Sequence, residues 1–249
     1  TTADTAGNAG SAPGGGGGGS RGNATGGAGA AGRVSFTYTI PIIPIMNVTG
    51  NSVSIADNDA TPDTADHTDF GTANVTGGTV VRTFTIENNG GAALTLTGAP
   101  LVVLGGSHPG DFTVNVMPST PVSIAGTTTF QVTFDPTTAG LRSATISIAN
   151  DDATANPYNF SIQGTGGTPE MNVTGNGNNI ADGDGTPTST DHTDFGSIGT
   201  GSTVVRTFTI QNTGTATLTI GVITIGGADA ANFSVTTNPA ASVAVAMPA

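Results

Sequence analysis

One block of sequence occurs twice in this chain of 249 residues, and that recurrence constrains the fold more than any other feature. Met46-Asn-Val-Thr-Gly50 returns as Met171-Asn-Val-Thr-Gly175. Further blocks recur downstream in the same order: residues 55–59 as 180–184, 66–71 as 191–196, 80–86 as 204–210, 93–96 as 217–220, and 111–114 as 232–235. The spacing between blocks shifts slightly, as loop insertions between the strands of a duplicated domain would produce.

Apolar and polar residues alternate within these blocks, which is typical of strands with one buried face. Phe84 and Ile86 fall on one side of such a run, and Thr83 and Thr85 fall on the other. Seven strands are predicted in the first copy, near residues 45–49, 80–87, 93–104, 111–117, 121–134, 141–149 and 158–164. The side chains predicted to be buried are Phe84, Phe130, Phe134, Ile146, Phe160 and Ile162. The pattern predicts an all-β chain of tandem immunoglobulin-like antiparallel β-sandwich repeats.

The composition favours strands and turns and narrows the possible partners. The chain contains 39 Gly, and Gly opposes long helices because it loses the most backbone entropy on folding. It has 17 acidic residues but only five Arg and no Lys, which gives a net charge of −12. Binding to nucleic acid needs clustered basic residues, so nucleic acid is not an expected partner. No apolar run approaches the roughly 18 residues of a membrane span, so membrane insertion is not expected.

The repeated strings resemble the choice-of-anchor D family, which is similar to the abnormal-spindle and Hydin-like immunoglobulin modules. The strings that carry the resemblance are Met-Asn-Val-Thr-Gly, Ile-Ala-Asp-x-Asp, Asp-His-Thr-Asp-Phe-Gly, Arg-Thr-Phe-Thr-Ile-x-Asn, Thr-Phe-Gln-Val-Thr-Phe-Asp-Pro and Asn-Pro-Tyr-Asn-Phe-Ser-Ile-Gln-Gly. The likeness covers about residues 44–249. It implies an immunoglobulin-like sandwich in a bacterial extracellular or cell-surface protein, with no enzyme activity and no defined ligand.

The repeat divides the chain into four parts. Residues 1–33 are predicted to be a Gly-rich linker or low-complexity segment, and residues 34–42 an orphan β-strand. Residues 43–166 form the first repeat and residues 167–249 the second. The second copy lacks counterparts of residues 127–166, which carry about three strands, and so is expected to be incomplete. Either the chain is part of a longer tandem array, or something else completes the second repeat.

The orphan strand has the alternation of a closing strand. Val34, Phe36, Tyr38 and Ile40 share one side, as do Tyr158, Phe160 and Ile162 at the end of the first repeat. We therefore predict that Val34–Ile40 pairs with a sandwich other than its own first repeat, by strand exchange. The expected partners are further copies of the chain or neighbouring repeats of a longer one.

Four aspartates recur in both copies and allow two interpretations. They are Asp57, Asp59, Asp66 and Asp69 in the first copy, and Asp182, Asp184, Asp191 and Asp194 in the second. Carboxylates in a turn are the ligands that Ca²⁺ prefers, although the spacing is not that of an EF-hand. The same residues also stabilise turns through local hydrogen bonds. No cofactor is expected, with Ca²⁺ the one possible exception.

Neither catalysis nor sugar binding is favoured by the remaining residues. His67 and His192 lie between acidic residues, but no nucleophile turn accompanies them, so the chain is not expected to be an enzyme. Arg82 and Arg206 share one strand position, and capping by Asp69 and Asp194 is expected. A structural stalk or filament subunit is the favoured function. The alternative is an adhesin or carbohydrate-binding module, which the two Tyr and the absence of Trp disfavour.

Overall fold

The computed structural model describes residues 25, 27–29 and 42–246. Contacts divide the chain into two units, Thr1–Pro41 and Ile42–Ala249, and every strand described below lies in the second. The predicted orphan strand, Val34–Ile40, lies outside the described residues, as does most of the Gly-rich segment. No helix in the described part of the chain has the length and apolar character needed to cross a membrane.

The first repeat is a sandwich of two β-sheets. Its strands are β1 (Met46–Gly50), β2 (Val53–Ile55), β3 (Asp69–Asn74), β4 (Val80–Asn88), β5 (Val103–Gly105), β6 (Phe112–Val116), β7 (Thr127–Phe134), β8 (Gly140–Ile148) and β9 (Tyr158–Gly167). One sheet has the order β2-β1-β4-β7-β6, and the other has the order β3-β9-β8-β5. Neighbours pair antiparallel except β3 and β9, which run parallel. The all-β fold predicted from the sequence is confirmed.

The core lies between the two sheets and is built from the side chains predicted for it. Phe84, Phe130, Phe134, Ile146, Phe160 and Ile162 are all buried. Phe70, which follows the repeated Asp-His-Thr-Asp block, packs against the rings of Phe84, Phe112 and Phe134 at centroid distances of 5.5 to 6.4 Å. Burying one such side chain contributes about 1.5–3 kcal/mol, so the alternating strands supply most of the stability of this sandwich.

Two predicted strands are shorter than the apolar pattern suggests. Between residues 93 and 104 there are only isolated bridges at Leu94 and Leu96, and β5 begins at Val103. Pro100 interrupts this stretch, because proline has no N–H to donate to a ladder. The strand predicted over 121–134 begins only at Thr127, because a turn intervenes in which Ala125 adopts a φ of +54°.

Two strands were not predicted. β2 has only three residues and follows a tight turn in which Asn51 and Ser52 have positive φ. β3 contains Gly71 and shows no clean alternation, and it is held in the sheet by its parallel partner β9. Its position therefore depends on a strand about ninety residues away, which local periodicity does not reveal.

The second repeat reproduces only one part of the first. β10 (Met171–Gly175), β11 (Asn178–Ile180) and β12 (Phe208–Asn212) form a three-stranded sheet in the order β11-β10-β12. A short pair, β13 (Leu218–Thr219) and β14 (Ser242–Val243), lies after it. Gly175 faces Phe208 in the same register in which Gly50 faces Phe84. Within residues 168–246, no strand corresponds to β3 or to β7, β8 and β9.

In the described part of the second repeat, the residues at core positions are exposed. Phe84 is fully buried, whereas its counterpart Phe208 is 39% exposed. Phe112 is 4% exposed, and its counterpart Phe233 is 48% exposed. The sequence therefore places core residues in the second repeat, but the described residues do not include the sheet that would cover them.

Two buried aspartates, Asp111 and Asp152, stabilise the first repeat through hydrogen bonds to distant parts of the chain. Asp111 is buried and pairs with Arg142, with 2.6 Å between Oδ2 and Nε. Burial alone would raise the pKa of Asp111, but hydrogen bonds from Thr137 and Arg142, together with the Arg142 charge, outweigh burial and lower it. Burial also opposes ionisation of Asp152, yet hydrogen bonds from the Met46 and Thr154 N–H groups lower its pKa as well.

These shifts predict that the first repeat loses stability in acid. A carboxylate whose folded pKa is lowered stabilises the protein above its unfolded pKa, about 3.9 for Asp. This stabilisation is lost as the pH falls below about 4 and through the folded pKa. Urea unfolding followed by circular dichroism between pH 2 and 6 should show the decline. Asp111→Asn should flatten the slope in this range, and an unchanged slope would contradict the assignment.

Candidate strand-acceptor site

The repeated aspartate segment of the first repeat lies along the closing strand β9. Residues 57–59 and 68–69, here called the acceptor edge, bond to β9 as a parallel neighbour. Three backbone hydrogen bonds join them: Asn58 N–H to the Asn159 carbonyl (2.7 Å), Ser161 N–H to the Asp59 carbonyl (2.8 Å) and Gln163 N–H to the Thr68 carbonyl (2.9 Å). The acceptor edge therefore continues the pairing of β3 along the same side of β9 and covers that edge of the strand.

Two carboxylates of the acceptor edge bind β9 directly. Asp57 accepts a hydrogen bond from the Asn159 N–H at 2.9 Å. Asp69 accepts one from the Gln163 side-chain amide, also at 2.9 Å. Hydrogen bonds to an ionised acceptor are stronger than neutral ones, so these two aspartates reinforce the backbone pairing.

The other two aspartates hold the turns of the acceptor edge. Asp59 accepts hydrogen bonds from the Thr61 N–H and hydroxyl at 2.9 and 2.7 Å. Asp66 accepts from the Thr68 N–H at 2.9 Å and is itself buried. Both are local bonds to a residue two positions later, which is the turn chemistry that the sequence allowed.

The four carboxylates are not gathered into one cluster. Across the described residues, no group of three or more His, Asp or Glu side chains is placed to hold a metal ion. Instead, each of the four aspartates of the first repeat accepts hydrogen bonds from the protein. Of the two interpretations that the sequence allowed, this geometry favours the turn interpretation.

Calcium titration distinguishes the two interpretations. We expect the melting temperature of chelator-treated protein to be unchanged by millimolar Ca²⁺, because bound ion would have to displace the hydrogen bonds to Asp57 and Asp59. Isothermal calorimetry should likewise show only heat of dilution. A melting temperature that rises with Ca²⁺, and that Asp59→Asn abolishes, would contradict the turn interpretation.

The second repeat contains the same edge in the same conformation. Its residues 182–184 and 193–194 are here called the second acceptor edge. Asp184, Asp191 and Asp194 make the same turn bonds, accepting from Thr186, Thr193 and Gly196 N–H groups at 2.8 to 3.0 Å. The left-handed residues also recur, with φ of +67° at His67 and +69° at His192. The turns that shape this edge therefore form without β9 beside them.

His67 lies near Arg82 and Asp66, and the arginines do not pair with aspartates as predicted. Burial and the nearby Arg82 charge lower the pKa of His67, against a smaller opposing effect of Asp66. Arg82 donates to the Phe70 carbonyl at 3.4 Å, so the predicted capping by Asp69 is wrong. The predicted pair of Arg206 and Asp194 is also not formed in the described residues. His108 accepts from the Ser143 N–H and is a loop residue, as expected.

Sequence reasoning identified the aspartates but missed what Asp57 and Asp69 bind. Both contacts are to β9, roughly a hundred residues later in the chain. The one available signal was that the aspartate block recurs in both copies, which indicates that it has a fixed place in the repeat.

Comparison with known families supports the immunoglobulin-like interpretation. Residues 63–165 match the model of the HYDIN/CFA65/VesB-like, Ig-like domain family. The match ends within β9 and lies entirely in the first repeat. This match does not show the choice-of-anchor D family, and that resemblance stays a prediction. Comparison with curated proteins gave no match.

Solved structures give only distant likenesses. A protein of unknown function from Porphyromonas gingivalis W83 shares 18% identity over 49% of this chain, with a TM-score of 0.35. This chain spans 46% of the length of that protein. The ASH/PapD-like domain 7 of human CEP192 shares 14% identity over 55% of this chain and 95% of that domain, with a TM-score of 0.30.

Proposed function

We propose that this chain is a non-catalytic, extracellular structural protein, a stalk or filament subunit whose repeats assemble by β-strand complementation. The observation that carries the proposal is that core positions of the second repeat are exposed in its described part. Phe208 and Phe233 occupy core positions, and both are more than a third exposed. Exposed apolar faces of this kind mark surfaces that bind another chain segment.

The order of the sequence supports a strand donor within the same protein. Tyr158–Gly167 precedes the second Met-Asn-Val-Thr-Gly block in the chain. Val34–Ile40 precedes the first one in the same way and has the same alternation. By this order, Val34–Ile40 corresponds to the closing strand of a preceding repeat. The exposed core positions in the second repeat of another copy would accept such a strand.

Strand donation from one copy to the next forms a filament. The donor precedes the first repeat and the acceptor lies in the second, so each contact uses two different surfaces. Such head-to-tail contacts do not close on themselves unless the geometry forms a ring, and they extend into fibres. Within residues 168–246 no strand corresponds to β3, β7, β8 or β9, and one donated strand replaces only one of these four.

Deletion of residues 1–40 tests the proposal. We expect the full chain to form filaments in negative-stain images and the deleted chain to remain monomeric. The first repeat should keep its thermal unfolding transition, because all of its strands lie after residue 45. Filaments that persist after the deletion, or a full chain that stays monomeric at high concentration, would contradict strand complementation.

A further inference from the structure

We infer that the first and second repeats are held at a fixed angle by a rigid joint centred on the peptide bond between Gly167 and Thr168. The inference goes beyond the proposed function, because it concerns the connection between two repeats of one copy rather than contact between copies. Three observations carry it: the direct passage of β9 into the second repeat, the hydrogen bonds of one peptide unit to both repeats, and the packing of Gly167 between them.

β9 passes into the second repeat through a short segment that is itself bonded to that repeat. The strand ends at Gly167, and residues 168–170, here called the second entry segment, lead directly to β10. The backbone N–H groups of Thr213 and Thr215 donate to the carbonyls at the two ends of this segment, at 2.8 and 2.7 Å. The second entry segment is therefore paired with the chain that follows β12.

The first repeat binds its own entry segment, residues 43–45, in the same way. The N–H groups of Asn89 and Gly91 donate to the carbonyls at its two ends, at 2.8 and 2.9 Å. Pro44 and Pro169 occupy the middle positions of the two segments. The entry segment is thus a part of each repeat. Between residues 158 and 175, which the structure describes throughout, no residue is left to act as a flexible linker.

A single peptide unit is bonded to both repeats. The Gly167 carbonyl accepts a hydrogen bond from the Val75 N–H of the first repeat at 3.0 Å. The N–H of the same peptide unit belongs to Thr168 and donates to the Thr215 hydroxyl of the second repeat at 3.1 Å. A peptide unit is planar and resists twisting about its central bond. Because its two ends are fixed to different repeats, rotation at this point would break one of the two hydrogen bonds.

Gly167 lies too close to both repeats to carry a side chain. A Cβ added there would lie 2.8 Å from Thr72 Cγ2 in the first repeat, and 2.9 Å from both Ala216 Cβ and the Thr215 carbonyl oxygen in the second. Ala216 is only 3% exposed, whereas its counterpart Ala92 is partly exposed although its N–H makes the same hydrogen bond. The end of β9 therefore covers Ala216, and this close-packed contact resists bending.

The joint has a consequence for a chain of repeats. Domains of one chain move relative to one another by default unless the contact between them is large. Here the connecting backbone itself is held by hydrogen bonds on both sides, so the two repeats reorient as one body. A stalk built from repeats joined in this way holds its direction and does not fold back on itself.

Distances between spin labels measure the rigidity of the joint. The chain has no Cys, so Thr129→Cys and Asn179→Cys place one label at an exposed strand position of each repeat. Dilution of labelled chain into excess unlabelled chain restricts the measured distance to one copy. We expect a single narrow distance distribution by double electron–electron resonance. Insertion of Gly-Ser-Gly-Ser between residues 167 and 168 should broaden it about twofold or more, because such linkers are flexible.

Gly167→Ala tests the packing of the joint separately. The added Cβ meets the backbone oxygen of Thr215, so one repeat must shift against the other, and we expect the mean of the distance distribution to move. Gly221→Ala is the matched control, because nothing lies within 4 Å of a Cβ built there, and it should leave the distribution unchanged. Equal distributions for the two variants would contradict the packing of Gly167.

The outcomes separate the joint from the proposed function. A broad distribution in the wild-type chain, or one that the insertion does not broaden, would overturn the inference. A narrow distribution in chains that never form filaments would support the joint and contradict the proposed function. Filaments built from chains with a broad distribution would contradict the joint and leave filament formation standing.

Discussion

Phe84→Ala should lower the free energy of unfolding of the first repeat by about 3–5 kcal/mol, a large part of the stability of a domain of this size. Phe84 is fully buried, and its ring stacks on Phe130 with centroids 5.3 Å apart and also contacts Phe70 and Phe160. Alanine would leave a cavity between two hydrogen-bonded sheets. Because both sheets are held in register, they cannot collapse around it.

The matched substitution in the second repeat is the control. Phe208→Ala removes the same ring from the same strand position, but the ring is 39% exposed. We expect a loss of about 1 kcal/mol or less, measured by urea unfolding at concentrations where the chain is monomeric. Similar losses at both positions would mean that the second repeat has a closed core in solution, against the structure described above.

Gly50→Ala should destabilise the first repeat by about 3 kcal/mol, although it adds only one methyl group. An added Cβ at Gly50 would lie 1.8 Å from the carbonyl oxygen of Asp66. That oxygen belongs to the backbone of the turn that shapes the acceptor edge, so no side-chain rotation relieves the contact. Either β1 or the turn must move, and the packing of Phe70 would move with it.

Gly110→Ala is the control for the loss of a glycine. Nothing lies within 4 Å of a Cβ built at Gly110, and its φ is not in the left-handed region. Its effect should be below about 1 kcal/mol. Thermal unfolding of both variants provides the comparison, and a Gly50→Ala protein that melts with the wild type would contradict the close approach of these two backbone segments.

The two-sheet architecture of the first repeat could be predicted because its evidence is local. Alternation in Phe130–Phe134 or Tyr158–Ile162 shows which side chains face inward, and burial of these side chains drives the fold. β3 was not predicted because it is held in the sheet by a parallel partner, β9, that lies far along the chain. The strand predicted over residues 93–104 is broken by Pro100 and Gly98, whose effect on hydrogen bonding outweighs the apolar composition.

The acceptor edge could be only half predicted, for a physical reason. Side chains of Asp57 and Asp69 are visible in the sequence, and carboxylates suit turns, metal ions and N–H donors equally well. The groups that bind β9 are the backbone carbonyls of Asp59 and Thr68. Every residue has a backbone carbonyl, so the sequence alone does not indicate which carbonyls accept a hydrogen bond from a distant strand. Their role appears only when β9 is placed beside them.

Disulfide trapping tests most directly whether the second acceptor edge receives a strand from another copy. Gln163 and Asp69 are paired neighbours in the first repeat, and the Gln163 side-chain amide donates to the Asp69 carboxylate. If the donated strand is aligned with Phe36 at the Phe160 position, Thr39 takes the Gln163 position and would lie beside Asp194. The chain has no Cys, so only introduced thiols can react. Thr39→Cys with Asp194→Cys should give a ladder of covalent oligomers on oxidation, because neighbouring strands bring Cα atoms within disulfide range. Tyr38→Cys with Asp194→Cys, whose side chains face opposite ways, should give none. Filaments without a ladder from the first pair, or equal ladders from both pairs, would contradict strand exchange at this edge.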